Sequence, residues 1–353
     1  MSHIYQTNRL GRTVKHHGED FLHFSGTAYL GMASLPAFEE LLVKGIRKYG
    51  PNHGSSRNSN VQLPIYRDFE NHFAFEAGAP DAMLLSSGYL AGHLAVQTMM
   101  MDTDFIWAAP NTHSAILPVG QKTASDMDFD GWVWQCKKRA ESLIGQRILF
   151  LSNAVNPLKP EIHDFKWIKE LPSTNQYYLL IDDSHAFGVL GPSIYGTFAS
   201  WKDLPAKILV VGSLGKALSL PAGIILGDLY LLEKARAHPI YLSSSPPAPA
   251  FLEAFISGQD LYLAQKEKLL EHVHWVYHSL KNSDEFVCLD NFPVITFAQA
   301  QWVDELHRQN MILSSFPYPG PQDPPVNRII ISAYHHREDL VYLVDRLLKL
   351  NPN

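Results

Sequence analysis

An α/β protein built on a mostly parallel sheet is the fold class this sequence predicts, and three observations predict it. Short apolar runs recur along the chain: RILFLS (147–152), YYLLID (177–182), AKILVVGS (206–213) and GIILGD (223–228). Each has the length and texture of a strand buried on both faces. Segments of helical period separate such runs, the alternation that lays helices over a parallel sheet. Near residue 230 the texture changes to longer helical patterns followed by two more apolar runs, which implies a second, smaller α+β unit.

Taken in order, residues 1–36 read as short extended pieces and turns, with FLHFSG (21–26) the best strand. Phe38, Leu41, Leu42 and Ile46 give residues 37–49 a helical spacing that stops at Gly50-Pro51. A polar loop, GPNHGSSRNSNVQLP, follows and is too long for a mere connector. Helices are expected at 65–76 and 90–101, and strands at 82–85 and 104–108. Beyond the four apolar runs, helical patterns cover 229–237, 250–258 and 260–281. Strands are expected at VITFA (294–298) and RIIISAY (328–334), and a closing helix near 338–350. ILSSFPYPGPQDPPVNR (312–328) reads as a Pro-rich loop. The domain reading is therefore an amino-terminal segment 1–36, a large α/β domain 37–230 and a small α+β domain 231–353.

Composition narrows the function. The 353 residues are 46% hydrophobic and 18% charged, enough for a sizeable core and unlike a disordered chain. With 29 Lys+Arg against 35 Asp+Glu the net charge is −6 and no basic block exists, which argues against nucleic acid as a partner. Cys136 and Cys288 cannot form a disulfide framework or a CxxC metal site, so no metal is expected and a reducing, cytoplasmic setting is. No apolar run reaches the ~18 residues of a membrane span. MSHIYQTNRLGR has no apolar stretch behind its charges and does not read as a secretory signal.

Three strand ends carry unusual polar residues. Asp182-Asp183-Ser184-His185 starts at the last residue of YYLLID, and ligands of open α/β sheets sit beyond such carboxyl ends. A capping Asp with a packed His is the plainer alternative. Gly212-Ser213-Leu214-Gly215-Lys216-Ala217 follows KILVV. A lone Lys among small and apolar neighbours has the desolvated setting that lowers an amine's pKa and makes it a Schiff-base former; a snorkelling surface lysine is the alternative. This string is not a P-loop, since its spacing fails and Ala217 stands where a hydroxyl is needed. Ser86-Ser87-Gly88-Tyr89 turns a strand into a helix, where free backbone amides can hold an anion.

A Schiff-base lysine, a carboxylate for a pyridinium nitrogen and a phosphate cup together meet the needs of pyridoxal phosphate. At this point the sequence resembles the α-oxoamine synthases, which include 8-amino-7-oxononanoate synthase, 2-amino-3-ketobutyrate CoA ligase, 5-aminolevulinate synthase and serine palmitoyltransferase. The resemblance runs from about Phe21 to Leu348. It rests on TAYLGM (27–32), YGPNHGSSRNSN (49–60), SSGYLAG (86–92), NTHSAI (111–116), DDSHAFGVLGPSIYGT (182–197), GSLGKAL (212–218), YLSSSPPAPA (241–250) and RIIISAYHH (328–336). DDSHAFGVLG followed by SLGKA is the most specific pair. The resemblance implies the fold-type I, aspartate aminotransferase-like architecture, with a mostly parallel seven-stranded sheet in the large domain. The amino-terminal segment would pack with the small domain.

What the resemblance implies for single residues is as follows. Lys216 carries the cofactor as an internal aldimine and later moves protons at the substrate α-carbon. Asp182 partners the pyridinium nitrogen, His185 lies near the ring's phenolic oxygen, and His113 stacks on the cofactor face. Ser87, Gly88 and Tyr89 line the phosphate, with Ser213 adding a hydroxyl. Ser243 and Ser244 reach the phosphate from a neighbouring subunit, which implies a homodimer with shared sites. Arg328 holds the substrate carboxylate, for which an Arg fork is suited.

Departures from the family pattern lie elsewhere. Thr27 and Ala28 replace the usual Asn-Asp before Tyr29, and the amino-terminal region is short. Ser152-Asn153-Ala154-Val155-Asn156-Pro157-Leu158-Lys159-Pro160 replaces an acidic stretch with a serine that contacts the cofactor; Asn153 and Asn156 are the candidates to take its place. The loop near Ser314 and Ser315 lacks the usual Arg. The expected activity is condensation of an amino acid with an acyl-CoA, usually with decarboxylation, to an α-amino ketone. Alternatives are an aminotransferase or aldolase-type reaction on the same fold, and a catalytically idle partner subunit.

Overall fold

A computed structural model describes residues 4–350 except 122, 125, 126, 157, 319 and 321. Three prolines of the loops named above, Pro157, Pro319 and Pro321, thus lie outside the described residues, as do the ends of the first and last domain ranges. The strands are β1 (Thr13–His16), β2 (Glu19–Phe24), β3 (Ala82–Leu85), β4 (Phe105–Ala108), β5 (Arg147–Asn153), β6 (Val155–Asn156) and β7 (Glu161–Ile162). They continue with β8 (Gln176–Asp182), β9 (Lys207–Ser213), β10 (Gly223–Gly227), β11 (Val287–Leu289), β12 (Phe292–Phe297), β13 (Met311–Pro317) and β14 (Pro325–Ile330).

One six-stranded sheet runs β3-β10-β9-β8-β5-β4. β4, β5, β8 and β9 pair in parallel, and β10 is antiparallel to both neighbours. Alternate residues feed two different cores. Ile148, Phe150, Leu179, Ile181, Ile208 and Val210 pack on one face; Leu149, Leu151, Leu180, Leu209 and Val211 pack on the other. Burial on both faces is why these strands read as unbroken apolar runs rather than alternating ones. The seventh strand implied by the family resemblance is not found among the described residues. Residues 117–128, where chain length would have to supply it beyond β4, are few and interrupted by Pro118 and Gly120.

Helices cover the sheet where the sequence stops and caps them. Pro36 opens the helix Pro36–Tyr49, and Gly50 at φ 77° ends it. Ser87 caps Gly88–Met100 by accepting the Leu90 amide at 3.2 Å. The helix Phe129–Glu141, which sequence pattern did not suggest, starts on the Asp128 cap.

A second six-stranded sheet runs β1-β2-β13-β14-β12-β11. Strands from residues 13–24 therefore sit beside strands from 287–330, with β2 parallel to β13. The Pro-rich segment expected to be a loop forms much of β13 and β14. Pro317 faces Pro325 at the end of the ladder, so the pairs from Ser314–Arg328 to Phe316–Val326 are free of proline. The long helix Gln259–Leu280 packs against β12 and against the closing helix Arg337–Leu350.

Candidate active site

The carboxyl ends of β5, β8 and β9 converge. Asn153, the last residue of β5, is in register with Asp182, the last of β8, and Asp182 is in register with Val211 of β9. This is the position where parallel sheets open a crevice. A pocket there is lined by Asp182, His185, Lys216, His113, Asn153, Tyr318, Asn111 and Ser184, among others. A larger cleft lined by Tyr5, Asp304 and Phe316 runs along the helix Gln301–Arg308 and holds none of the candidate residues.

Backbone chemistry fixes the Asp182 carboxylate. Its Oδ1 accepts the Ser184 amide at 2.8 Å, and the Ser184 hydroxyl accepts the Ser213 amide at 2.8 Å. The turn after β8 is thus tied to the end of β9. Asp183, fully buried, points the other way and accepts the Thr197 amide at 2.6 Å and the Thr197 hydroxyl at 2.8 Å. Burial raises the Asp183 carboxyl to about 7 despite these bonds, and the neighbouring Asp182 adds to the rise. Two adjacent aspartates therefore serve different ends, one anchoring the loop and one facing the pocket.

Lys216 sits where its ammonium is desolvated. Burial lowers it to about 8; Asp182 opposes the shift and Arg328 adds to it. An amine with that pKa keeps a useful neutral fraction near neutral pH, as a nucleophile toward an aldehyde requires. His185 is pushed well below the ordinary imidazole range, first by burial and then by the charges of Lys216, Arg328 and His113. Its ring is therefore neutral, and Nδ1 shares a 2.8 Å hydrogen bond with the Tyr29 hydroxyl.

His113 is held by its own backbone. Its amide donates to Asn153 Oδ1 at 3.0 Å, Asn153 Nδ2 donates to the Asn111 carbonyl at 2.7 Å, and Asn111 turns the chain at φ 55°. His113 Nδ1 lies 3.6 Å from Asp182 Oδ2 while nearly half of the side chain is exposed. Of the two asparagines offered as replacements for the family serine, Asn153 thus lies in the pocket. Asn156 instead accepts the Leu158 amide and borders a separate cleft.

Arg328 approaches from the other sheet. It is buried on β14, in register with Ser314 and Thr296, its guanidinium 5.1 Å from the centre of the Phe316 ring. Burial lowers its pKa.

Ser87, Gly88 and Tyr89 start the helix that follows β3. A Cβ on Gly88 would lie 2.4 Å from the Ser213 backbone nitrogen, so this helix start and the end of β9 are in direct contact. The thirteen-residue helix presents its first amides here, next to the Ser213 hydroxyl. A phosphate fits this donor set, a pyridine nitrogen fits Asp182, and an aldehyde fits Lys216. The Tyr89 side chain is largely exposed, parallel to His93 with ring centres 6.4 Å apart. Ser243 and Ser244 do not line the pocket of their own chain; Ser244 Oγ donates to the Ile240 carbonyl at the end of the helix Pro239–Ser243.

Tyr29, Tyr318, Asn111 and Ser184 were not expected in the site. Tyr29 lies in a block already singled out, TAYLGM, but its contact with His185, 156 residues away, has no local signature. Tyr318 sits in a segment whose prolines mask any period.

Residues 19–347 match the family model described as aminotransferase class I and II. The chain is 27% identical to the 8-amino-7-oxononanoate synthase of Vibrio atlanticus (strain LGP32), covering 97% of this chain and 87% of the relative. Among solved structures it superposes on SPT with a PLP internal aldimine at TM-score 0.82, with 17% identity over 98% of this chain and 91% of that one. The 8-amino-7-oxononanoate synthase of Francisella tularensis superposes at TM-score 0.69, with 19% identity over 94% and 97%.

Proposed function

Because the chain belongs to the aminotransferase class I and II family, we propose that it is a pyridoxal phosphate-dependent acyltransferase that condenses an amino acid with an acyl-CoA to an α-amino ketone. The observation that carries this reading is the convergence of Asp182 and Lys216 in one pocket, beside a helix start in contact with Ser213. The resemblance to 8-amino-7-oxononanoate synthases supports the acyl-transfer step. The kept lysine, with its lowered pKa, speaks against an idle partner subunit.

Bound here, pyridoxal phosphate supplies an aldehyde for the substrate amine and a protonated ring that draws electrons from the α-carbon. The residues of the chain do the rest. Asp182 holds the proton on the ring nitrogen. Lys216 takes and returns the proton at the substrate α-carbon. His113 would cover one face of the ring, and neutral His185, oriented by Tyr29, would stand near its phenolic oxygen. The amides of Gly88 and Tyr89, with the hydroxyls of Ser87 and Ser213, hold the phosphate, and Arg328 binds the substrate carboxylate.

The active unit in this reading is a homodimer, in which Ser243 and Ser244 reach the partner's phosphate. The division into 1–36, 37–230 and 231–353 is likewise our reading, supported by the pairing of β2 with β13. Among the described residues no helix is long and apolar enough to cross a membrane. We propose a cytoplasmic setting, in keeping with the unpaired Cys136 and Cys288.

A screen of amino acids by the absorbance shift of the cofactor, followed by acyl-CoA thioesters with free-thiol detection, tests the reading. Amino acid-dependent thiol release is the expected result. Conversion of the cofactor to pyridoxamine phosphate with an oxo-acid product, and no thiol release from any thioester, would replace it by an aminotransferase.

A further inference from the structure

On the outer surface of the second sheet's unit, His274 and His278 stand one turn apart on the helix Gln259–Leu280, with ring centres 4.2 Å apart. The turn between β11 and β12 brings Asp290 against them. Its Oδ1 shares a 2.7 Å hydrogen bond with His274 Nδ1 and lies 3.9 Å from His278 Nδ1. One donor atom from each of the three residues lies within 4.8 Å of the other two, the one such group of three among the described residues.

We propose that His274, His278 and Asp290 form a binding site for a divalent transition-metal ion of borderline softness, Zn²⁺ being the ion without redox chemistry. Two imidazoles at i and i+4 on one helix face offer neutral nitrogen donors in a fixed relation, and the carboxylate supplies charge. Around a tetrahedral ion with bonds of ~2 Å the donors stand ~3.3 Å apart. Small rotations of these side chains reach that separation from 4.8 Å, because all three are exposed, at 62, 43 and 47% of their side-chain surface. The ion would take the place of the His274 Nδ1–Asp290 Oδ1 hydrogen bond and draw His278 from the His274 carbonyl that its Nδ1 meets at 3.0 Å, and solvent fills its fourth position. His278 lies in the last turn of its helix, whose negative dipole end favours a cation.

Such an ion would clamp the end of this helix to the β11–β12 turn. The helix also packs against β12 and the closing helix, so the clamp acts on the fold of this unit and leaves the pocket at Lys216 untouched.

Titration of the cofactor-loaded full chain with Zn²⁺ alone, followed by calorimetry and by the unfolding temperature, tests the proposal. One equivalent should bind and raise the unfolding temperature, with the cofactor absorbance unchanged. H274A and D290N should each weaken binding by about tenfold or more. H274A–H278A should abolish the temperature shift while keeping metal-free activity. Failure of Zn²⁺ to bind at millimolar concentration would overturn the site, as would equal affinity in H274A–H278A or a binding event that alters the cofactor spectrum.

Discussion

The Tyr29 hydroxyl and His185 Nδ1 share a 2.8 Å hydrogen bond that joins the amino-terminal segment to the turn after β8. Tyr29 is fully buried, burial raises its pKa above the ordinary tyrosine range, and its carbonyl accepts the Ala333 amide at 2.8 Å. The hydroxyl thus stays protonated, and the Tyr29 backbone is tied to the turn after β14 while its side chain orients the ring that follows β8. Y29F keeps the packing and removes this bond, leaving one buried imidazole nitrogen unpaired, at a cost of ~1–3 kcal/mol. We expect kcat to fall about tenfold with a smaller change in KM. An unchanged kcat and unchanged denaturant midpoint would refute the positioning role.

Lys216 gives a pH-dependent prediction with two signs. The neutral amine is the form that joins the aldehyde, so cofactor incorporation into the cofactor-free chain should speed up as pH rises through about 8 and level off above it. Asp182 raises the Lys216 pKa, so D182N should move this midpoint down. Arg328 lowers it, so R328Q should move it up. Stopped-flow absorbance across pH 6 to ~10 reads all three midpoints. Borohydride reduction and peptide mass spectrometry should find the cofactor on Lys216. An adduct on another lysine, or midpoints that do not separate, would overturn the assignment.

Gly88 tests the phosphate cup. A methyl there would meet the Ser213 backbone at 2.4 and 2.5 Å, and neither the strand end nor the helix start can yield cheaply. G88A should therefore push the first amides of the helix away from Ser213, with overpacking of ~1–3 kcal/mol. Cofactor affinity measured by equilibrium dialysis should drop about tenfold or more, on the scale of a lost charge-assisted hydrogen bond. Wild-type affinity in G88A would mean that the phosphate does not sit here.

Much of this site is written in the sequence because its key residues are local events. Asp182 and Lys216 each follow an apolar strand within a few residues, and Ser87-Gly88 sits at a strand-to-helix turn, so spacing alone places them at the sheet's carboxyl edge. Tyr29 and Arg328 differ. Arg328 was reached through a motif, and its burial depends on β13 pairing with β14 across a hairpin whose prolines imitate a loop. Tyr29 depends on its contact with His185, 156 residues away, which no period encodes. The seventh strand, not found among the described residues, and the unexpected helix Phe129–Glu141 show the same limit: both fall between β4 and β5, where Pro118 and Gly120 interrupt the chain and the Asp128 cap starts the helix.

Shared sites make a mixing experiment decisive. If Ser243 and Ser244 serve the partner, a hybrid of one K216A chain and one S243A–S244A chain contains one wholly wild-type site and one doubly impaired site. In such hybrids half of the sites are wild type, so activity per dimer should recover to about half of the wild-type value. Co-expressed, differently tagged chains purified as hybrids and assayed for thiol release provide the measurement. No recovery, with dimers formed, would place the two serines outside the partner's site.

Acid should loosen the junction between the amino-terminal segment and the closing helix. His335 is fully buried, accepts the Ser332 amide at Nδ1 and lies 3.0 Å through Nε2 from the His23 carbonyl. Burial lowers it to about 3, and burial also lowers His23 and His272 beside it. The unfolded imidazole takes a proton near 6.5, whereas folded His335 stays neutral down to about 3. Stability is therefore complete above 6.5 and falls as pH drops through the interval, by up to ~1.4 kcal/mol per unit for each such histidine. Asp339 acts below this range: burial pushes its carboxyl up, but Arg12 carries it below the ordinary value through bonds of 2.6 Å. Denaturant midpoints between pH 5 and 6.5 should thus decline steeply in the wild type. They should decline less in H335Q, which cannot take up the proton, by about one histidine's share of the slope. Equal slopes in the two proteins would show that His335 is not among the groups that acid titrates.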